Sequence, residues 1–439
     1  MDSRMSRNKR CLALGLLCIS ALTLVTPAAA QAEPGDGIKA ENFKLSFGLD
    51  LNAGTNTNLF YETTPTQGTA WSLSVLPNLS LSTIDPKLVA FQLTWGAGYQ
   101  QYLSPDTEVR TQSGFSTTLN TSAHINPKGN VSLRLEEGIT RTNEAPNSPS
   151  EDSIHRIVNR AGAIFGVHPV GRTIQSHIRY TWVATFFQEN DLGLQQLNKD
   201  EHQFDGRLAW TFLPRTAALL MVNYRLINYD QANRVIGTAE IPNVNSRPLR
   251  IQGGINGLVL NRLAAQALIG YGLSRYADGN SFQGIIGRAK LTYFLSADGD
   301  SSVNAGYQRT FRDSTLGNFA QSHIISAGFR QMLLDKKLNI DLTGAFELRN
   351  TALQSISGIP LANGGAVTLP DELNDRLLTV NATGTYNLRK WASIGAGYTL
   401  RSNFTDDDVI VDASAGLSEV STGRSYNQHI VNIFARLVY

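Results

Sequence analysis

Apolar and polar side chains alternate with period two over most of this chain. Trp71, Leu73, Val75, Leu79 and Leu81 interleave with Ser72, Ser74, Asn78 and Ser80. Val131, Leu133, Leu135 and Ile139 interleave with Ser132, Arg134, Glu136 and Thr140, and the same pattern recurs over residues 338–349 and 378–388. Successive side chains of a β-strand point to opposite faces, so each run has one apolar and one polar face. This reading predicts eighteen strands, at residues 43–53, 69–83, 87–103, 111–125, 129–143, 153–167, 171–187, 200–213, 215–229, 247–260, 263–276, 282–295, 300–312, 322–334, 337–350, 374–389, 391–404 and 426–439. Sixteen is the alternative if a strand has been split. Strands of soluble sheets average about five or six residues. Runs of ten or more, repeated this often, fit antiparallel strands crossing a membrane at a tilt.

The connections sort into two kinds. Every second one is tight and rich in turn formers: Asp85-Pro86, Asn126-Pro127-Lys128-Gly129, His168-Pro169-Val170-Gly171, Pro214, Asn261-Arg262, Ala297-Asp298-Gly299, Asp335-Lys336 and Arg389-Lys390. Between them fall longer connections, notably 54–68, 144–152, 188–199, 230–246, 351–373 and 405–425. Short periplasmic turns alternating with long extracellular loops is the pattern of a membrane barrel, and it needs an even strand number with both termini in the periplasm. Aromatic residues gather near strand ends, among them Tyr99, Tyr102, Phe186, Phe187, Tyr271, Tyr276, Phe311, Trp391, Phe404 and Tyr439. Interfacial girdles of the two membrane surfaces are the expectation.

The two ends agree with this picture. Val431, Ile433, Ala435, Leu437 and Tyr439 form an apolar face that closes the chain on an aromatic, opposite Asn432, Phe434, Arg436 and Val438. At the other end, Arg4, Arg7, Lys9 and Arg10 precede an apolar run from residue 12 to 25, and Ala28 and Ala30 make an A-x-A site. That order is a cleaved secretory signal peptide, residues 1–30. A periplasmic tail over 31–42 and one barrel domain over 43–439 complete the organisation. Cys11 and Cys18 are the chain's only cysteines and fall inside the signal. The mature chain is therefore read as having no disulfide, thiolate metal site or cysteine nucleophile.

Composition is compatible with a membrane barrel only because of the alternation. Hydrophobic residues make up 42% of the chain and its mean hydropathy is -0.16, ordinary for a soluble protein. Beyond the signal no segment is apolar over the length of a spanning helix. The net charge of +2 carries no sign of a nucleic-acid partner.

The register of the runs assigns charges to the polar face. The cations are Arg134, Arg179, Arg207, Arg225, Arg288, Lys290, Arg312, Arg330, Arg349, Arg401 and Arg436, and the anions Glu136, Asp205, Asp341 and Glu347. A wide barrel encloses a water-filled lumen unless something closes it. A lumen with this excess of cations would favour anions. The same residues could instead be rungs of cross-strand ion pairs stiffening the wall, and the two readings are compatible. In the loop 351–373, Ile356, Ile359, Leu361, Gly364, Gly365 and Leu369 form an apolar, Gly-rich stretch that is a candidate constriction. The aspartates 406–408 and Asp412 read as a solvated loop, without the glycine-punctuated pattern of a calcium site. The seven histidines show no metal or hydrolase spacing, and no G-x-S-x-G stands out, so neither an enzyme, a cofactor nor a metal is expected.

The terminal strand, the hairpin alternation and the exit from the first strand (Asn56, Asn58, Leu59, Phe60) resemble the outer-membrane β-barrel porins of Gram-negative bacteria over the whole mature length. The resemblance implies an outer-membrane location, surrounding lipid, and the barrel-assembly machinery as partner, reading Val431, Ile433, Ala435, Leu437 and Tyr439 as the assembly signal. It also implies an aqueous conduit. Some barrels of this size export polysaccharide. In this chain, which has no periplasmic repeat domain, that role would need separate periplasmic export components. A general or small-solute diffusion porin, or a structural or adhesive barrel with an occluded lumen, are the other readings.

Overall fold

The computed structural model describes residues 35–61, 65, 68–142, 156–169, 171, 173–188, 194–236, 239–276, 281–313, 317–353, 359–360, 366–368, 372–405, 408–412, 420–423 and 425–439. Eighteen long strands build the wall. They are β1 Phe43–Asn56, β2 Ala70–Thr83, β3 Val89–Leu103, β4 Gly114–Ile125, β5 Val131–Thr142, β6 Arg156–Val167, β7 Ile174–Phe187, β8 Lys199–Leu213 and β9 Thr216–Tyr229. The second half is β10 Leu249–Leu260, β11 Leu263–Arg275, β12 Ser281–Phe294, β13 Ser301–Asp313, β14 Gly317–Leu333, β15 Leu338–Leu353, β16 Glu372–Arg389, β17 Ala392–Asn403 and β18 Tyr426–Val438. Each pairs antiparallel with the next, and β18 returns to β1, so the sheet closes on itself as a barrel. Asp50 faces Arg436 and Leu51 faces Ala435 across that closure. Phe47 and Tyr439 exchange both backbone hydrogen bonds, at 2.9 and 2.7 Å. Among the described residues no helix is long and apolar enough to cross a membrane.

Directly paired residues share a face, so the ladder carries one apolar surface around the whole ring. Trp71, Ile178, Ile269 and Ile433 are 60–68% exposed on it. Ser, Thr, Asn and the charged residues occupy the other face. That face is concave: Arg250 of β10 reaches the carbonyl of Phe311 on β13, across β11 and β12, at 2.7 Å. An apolar convex face and a polar concave face are what a lipid-embedded barrel requires.

Several strands run beyond their expected ends. β1 extends to 56 rather than 53, and β14 begins at 317 rather than 322. Extra short pairs decorate the wall. Ile38–Ala40 forms a hairpin with the start of β1, within the expected tail. Asn233–Ile236 pairs with Ala239–Pro242. The strands Ile359–Pro360, Ala366–Thr368, Asp408–Asp412 and Val420–Gly423 knit two of the long connections into one small sheet. Of the candidate constriction, Ile359 lies in this sheet, while Ile356, Leu361, Gly364, Gly365 and Leu369 lie outside the described residues. The signal segment also lies outside them.

The aromatic residues divide, and the girdle expectation needs correction. Tyr99, Phe186, Tyr271, Trp391, Phe404 and Tyr439 are exposed, but Tyr102, Phe187, Tyr276 and Phe311 are buried. Alternation explains part of this, since Phe186 and Phe187 must point to opposite faces.

The exit from β1 tucks inward. Asn56 caps it as an Asx turn, its side-chain oxygen accepting from the Asn58 amide at 3.0 Å. Gln428, 1% exposed, donates to the Asn58 carbonyl at 2.7 Å. Leu59 and Phe60 then pack with Ala70, Tyr102 and Val109, the last on a short helix, Thr107–Thr111.

Close approach sets one glycine in the wall. Phe434 turns its ring to the concave face over Gly395, its direct partner on β17, and a Cβ there would overlap the ring. Gly395→Val should therefore cost about 1–3 kcal/mol by overpacking. We expect a smaller folded fraction on an unheated gel, recovered only in part in the double variant with Phe434→Ala, because the Gly384 carbonyl also lies 2.6 Å from that Cβ position.

Candidate functional site

The charged concave face is the candidate site. Five of the cations named from the sequence are ion-paired. Arg134 and Arg179 share Glu136 at 3.6 and 3.5 Å, Arg330 meets Asp341 at 2.8 Å, Arg349 meets Glu347 at 2.9 Å, and Arg436 meets Asp50 at 3.0 Å. Asp341 also accepts from Asn339, and Glu347 from Ser322 at 2.7 Å. Asp205 accepts from Asn223 at 2.6 Å, and Asn223 in turn accepts from Arg250 at 3.1 Å. These are the rungs of a stiffened wall. The solvent-facing pairs among them contribute little each, about 0–1 kcal/mol, whereas Arg349–Glu347 is largely buried.

The remaining six sit differently. Among the described residues Arg207, Arg225, Arg288, Lys290 and Arg312 form no ion pair, and Arg401 donates to the Tyr61 hydroxyl at 3.0 Å. Their positions follow from the ladder. Arg207 faces Met221, Arg288 faces Leu268, Lys290 faces Gln266, and Arg312 faces Ala320. Four of the six fall on β9–β13. The concave positions of these five strands also hold Arg250. Asp313, at the end of β13, is the one carboxylate among the described residues of these five strands and accepts from the Tyr276 hydroxyl at 2.8 Å, while Glu201 of β8 lies near Arg225 and Glu347 of β15 near Arg312. The wall thus has a cationic arc over β9–β13 and a mixed, paired arc elsewhere.

Arg250 was not legible as a site residue. Its strand, 249–260, carries three glycines, which dilute the alternation. Arg156, Arg160, Asp50 and Glu201 also occupy concave positions that the sequence reading did not assign. Arg160 lines a polar recess with Arg134, Glu136 and Arg179.

Arg250 belongs to the most buried cluster of the barrel. The ladder between β12 and β13 stops at the pair Gly287 and Arg309, although both strands continue. Residues 281–286 of β12 have no partner on β13. Past this point the β13–β14 hairpin leans inward across the concave face of its neighbours. Phe311, 1% exposed, stacks on Phe282 with ring centroids 4.1 Å apart and sits over Gly272, where a Cβ would collide with it. The Arg250 guanidinium lies 4.2 Å from the Phe311 ring centre. Tyr276, Ile286, Val244 and Phe319 complete the cluster. An aromatic latch takes the place of the ladder along this seam and holds the hairpin against the concave face.

Together, a closed eighteen-strand wall, an apolar convex face and a polar, cation-rich concave face define a transmembrane β-barrel. No protein-family model and no curated protein sequence matches the chain. Solved structures do. The FrpB iron transporter of Neisseria meningitidis aligns with a TM-score of 0.50 at 8% identity, over 91% of this chain and 82% of that one. OccAB3 of Acinetobacter baumannii gives 0.47 at 11%, over 90% and 99%. OpdQ of Pseudomonas aeruginosa gives 0.46 at 11%, over 91% and 100%. The fold is that of the Gram-negative outer-membrane barrels.

Phe311→Ala should remove about 3–5 kcal/mol of packing. The loss is local to the hairpin, because the ladder elsewhere is untouched. Amide exchange over residues 309–323 should rise steeply while β1–β9 stay protected; uniform exchange throughout the barrel would contradict a local latch.

Proposed function

We propose that this protein is a passive aqueous conduit of the outer membrane for hydrophilic, anionic solutes, with a surface polysaccharide as the specific substrate. One observation carries the reading: Arg225, Arg250, Arg288, Lys290 and Arg312 share one arc of the concave face to which the described residues of β9–β13 add a single carboxylate, Asp313, itself bonded to Tyr276, while Glu201 of β8 and Glu347 of β15 interact with the arc only at its margins, beside Arg225 and Arg312. Cations fixed on a confining wall concentrate anions and repel cations. Guanidinium groups offer paired donors to carboxylate or phosphate. Ser, Thr, Asn and Gln on the rest of the face suit sugar hydroxyls. Weak, repeated contacts of both kinds let a chain enter and leave.

In this reading the short turns and both termini face the periplasm, and the long connections face outward. Periplasmic export components would deliver the polymer. A general diffusion porin is the second reading, favoured by the wide lumen that eighteen strands enclose.

The test is single-channel recording of the purified barrel in a planar bilayer under a salt gradient. Steady steps with a reversal potential on the anion side are expected. Replacing Arg288 and Lys290 together with Gln should move that potential toward zero with steps retained. A cation-selective wild type would overturn the anionic substrate, and a silent membrane with folded protein would favour an occluded structural barrel.

A further inference from the structure

The convex face carries three hydrogen-bonded Tyr–His pairs of the same construction. Tyr180 lies 2.8 Å from His202 Nδ1, Tyr307 2.8 Å from His323 Nδ1, and Tyr398 2.9 Å from His429 Nδ1. In each, the residue directly opposite the tyrosine is apolar: Phe204, Ile325 or Val431. The histidine stands two residues further toward the long-connection end of the next strand. Polar pairs at one offset on an otherwise apolar surface mark the height at which hydrocarbon gives way to headgroups.

The histidine of one pair, His323, is part of a groove. A recess of about 570 Å³ over β14–β16 is lined on the convex side by Gln321, His323, Leu348, Asn350, Asn374 and Arg376, with Arg349 and Asp375, whose parity is concave, at its floor. It adjoins the inward-leaning hairpin. His323 Nε2 is 3.3 Å from the Gln321 amide, and Asn350 donates to Asn374 at 2.9 Å and to Glu372 at 2.7 Å. Amides and a carboxylate combine donors and acceptors, the complement of sugar hydroxyls. Arg376 adds the bidentate donor that a phosphate takes. Below the recess the surface turns apolar at Ile325, Phe346 and Leu378, which face one another across the three strands. A ligand filling both parts has a polar, anionic sugar head and a hydrocarbon tail.

We propose that this groove binds the phosphorylated sugar headgroup of a glycolipid in the adjoining leaflet, with Arg376 on the phosphate and Gln321, Asn350 and Asn374 on the sugar. The site lies on the opposite face of the wall from the conduit and stands independently of what the conduit carries.

The experiment uses the full-length barrel in detergent micelles doped with a bisphosphorylated glucosamine lipid, with bound lipid counted by native mass spectrometry. Phosphatidylglycerol and an uncharged glycolipid are the competing probes. The wild type should retain one tightly held glycolipid, outcompeting either probe at least tenfold. Arg376→Ala and Asn374→Leu should each lower that retention at least fivefold, Arg376→Lys less, and His202→Ala, at a pair on distant strands, should leave it unchanged. The heat-dependent gel shift checks that every variant is folded. Equal retention of phosphatidylglycerol would overturn the sugar specificity. Unchanged retention in folded Arg376→Ala and Asn374→Leu would overturn the site.

Discussion

A backbone amide inside hydrocarbon has no water to bond, so every N–H and C=O of a spanning segment must find a partner within the protein. Strands meet that demand only when the sheet has no edge. Here the obligation falls on the meeting of β1 with β18, where Phe47 and Tyr439 exchange hydrogen bonds and Asp50 meets Arg436. Closure fixes strand number, strand number fixes bore, and bore leaves space for the solvated arginines of the concave face. The charged face is therefore a consequence of the ladder as much as of the residues on it.

Within that frame the wall is not uniform. Where carboxylates are available, on β1, β5 and β15, cations are drawn into rungs. On β9–β13 they are nearly absent among the described residues, and Arg225 and Arg312 meet carboxylates only from outside the arc, Glu201 of β8 and Glu347 of β15. The β13–β14 hairpin adds an asymmetry of shape to this asymmetry of charge. Glycine makes both the inward turn of Phe434 and the seating of Phe311 feasible, at Gly395 and Gly272, where any side chain would occupy the ring's place.

Much of the fold was legible because a spanning strand has a simple grammar. Leu133, Arg134, Leu135 and Glu136 announce their faces without reference to any neighbour, and turn residues such as Asn126-Pro127 announce where a strand reverses. What stayed hidden depends on contacts between distant segments. Phe311 has the parity of a lipid-facing residue, and it is buried because the ladder beside it ends early and the hairpin leans in. Arg250 sits in a glycine-diluted strand whose alternation is faint. The division of the cations into paired and unpaired is set by which strands become neighbours of which carboxylates. The recurring His-x-apolar steps at 202–204, 323–325 and 429–431 were present in the chain, but they gain meaning only when each histidine is seen beside a tyrosine of the preceding strand.

A closed ladder behaves as a hoop, equally resistant to deformation in every direction so long as each joint is of the same kind. The joint between β12 and β13 is of a different kind. Over residues 281–286, β12 is held to its neighbour by the stacked rings of Phe282 and Phe311 and the guanidinium of Arg250 instead of by a ladder. Apolar contact is non-directional and tolerates sliding, while a hydrogen bond loses strength steeply with misalignment. The barrel's cross-section is thus more compliant along this seam than where the ladder is continuous, and deformation of the wall should concentrate there.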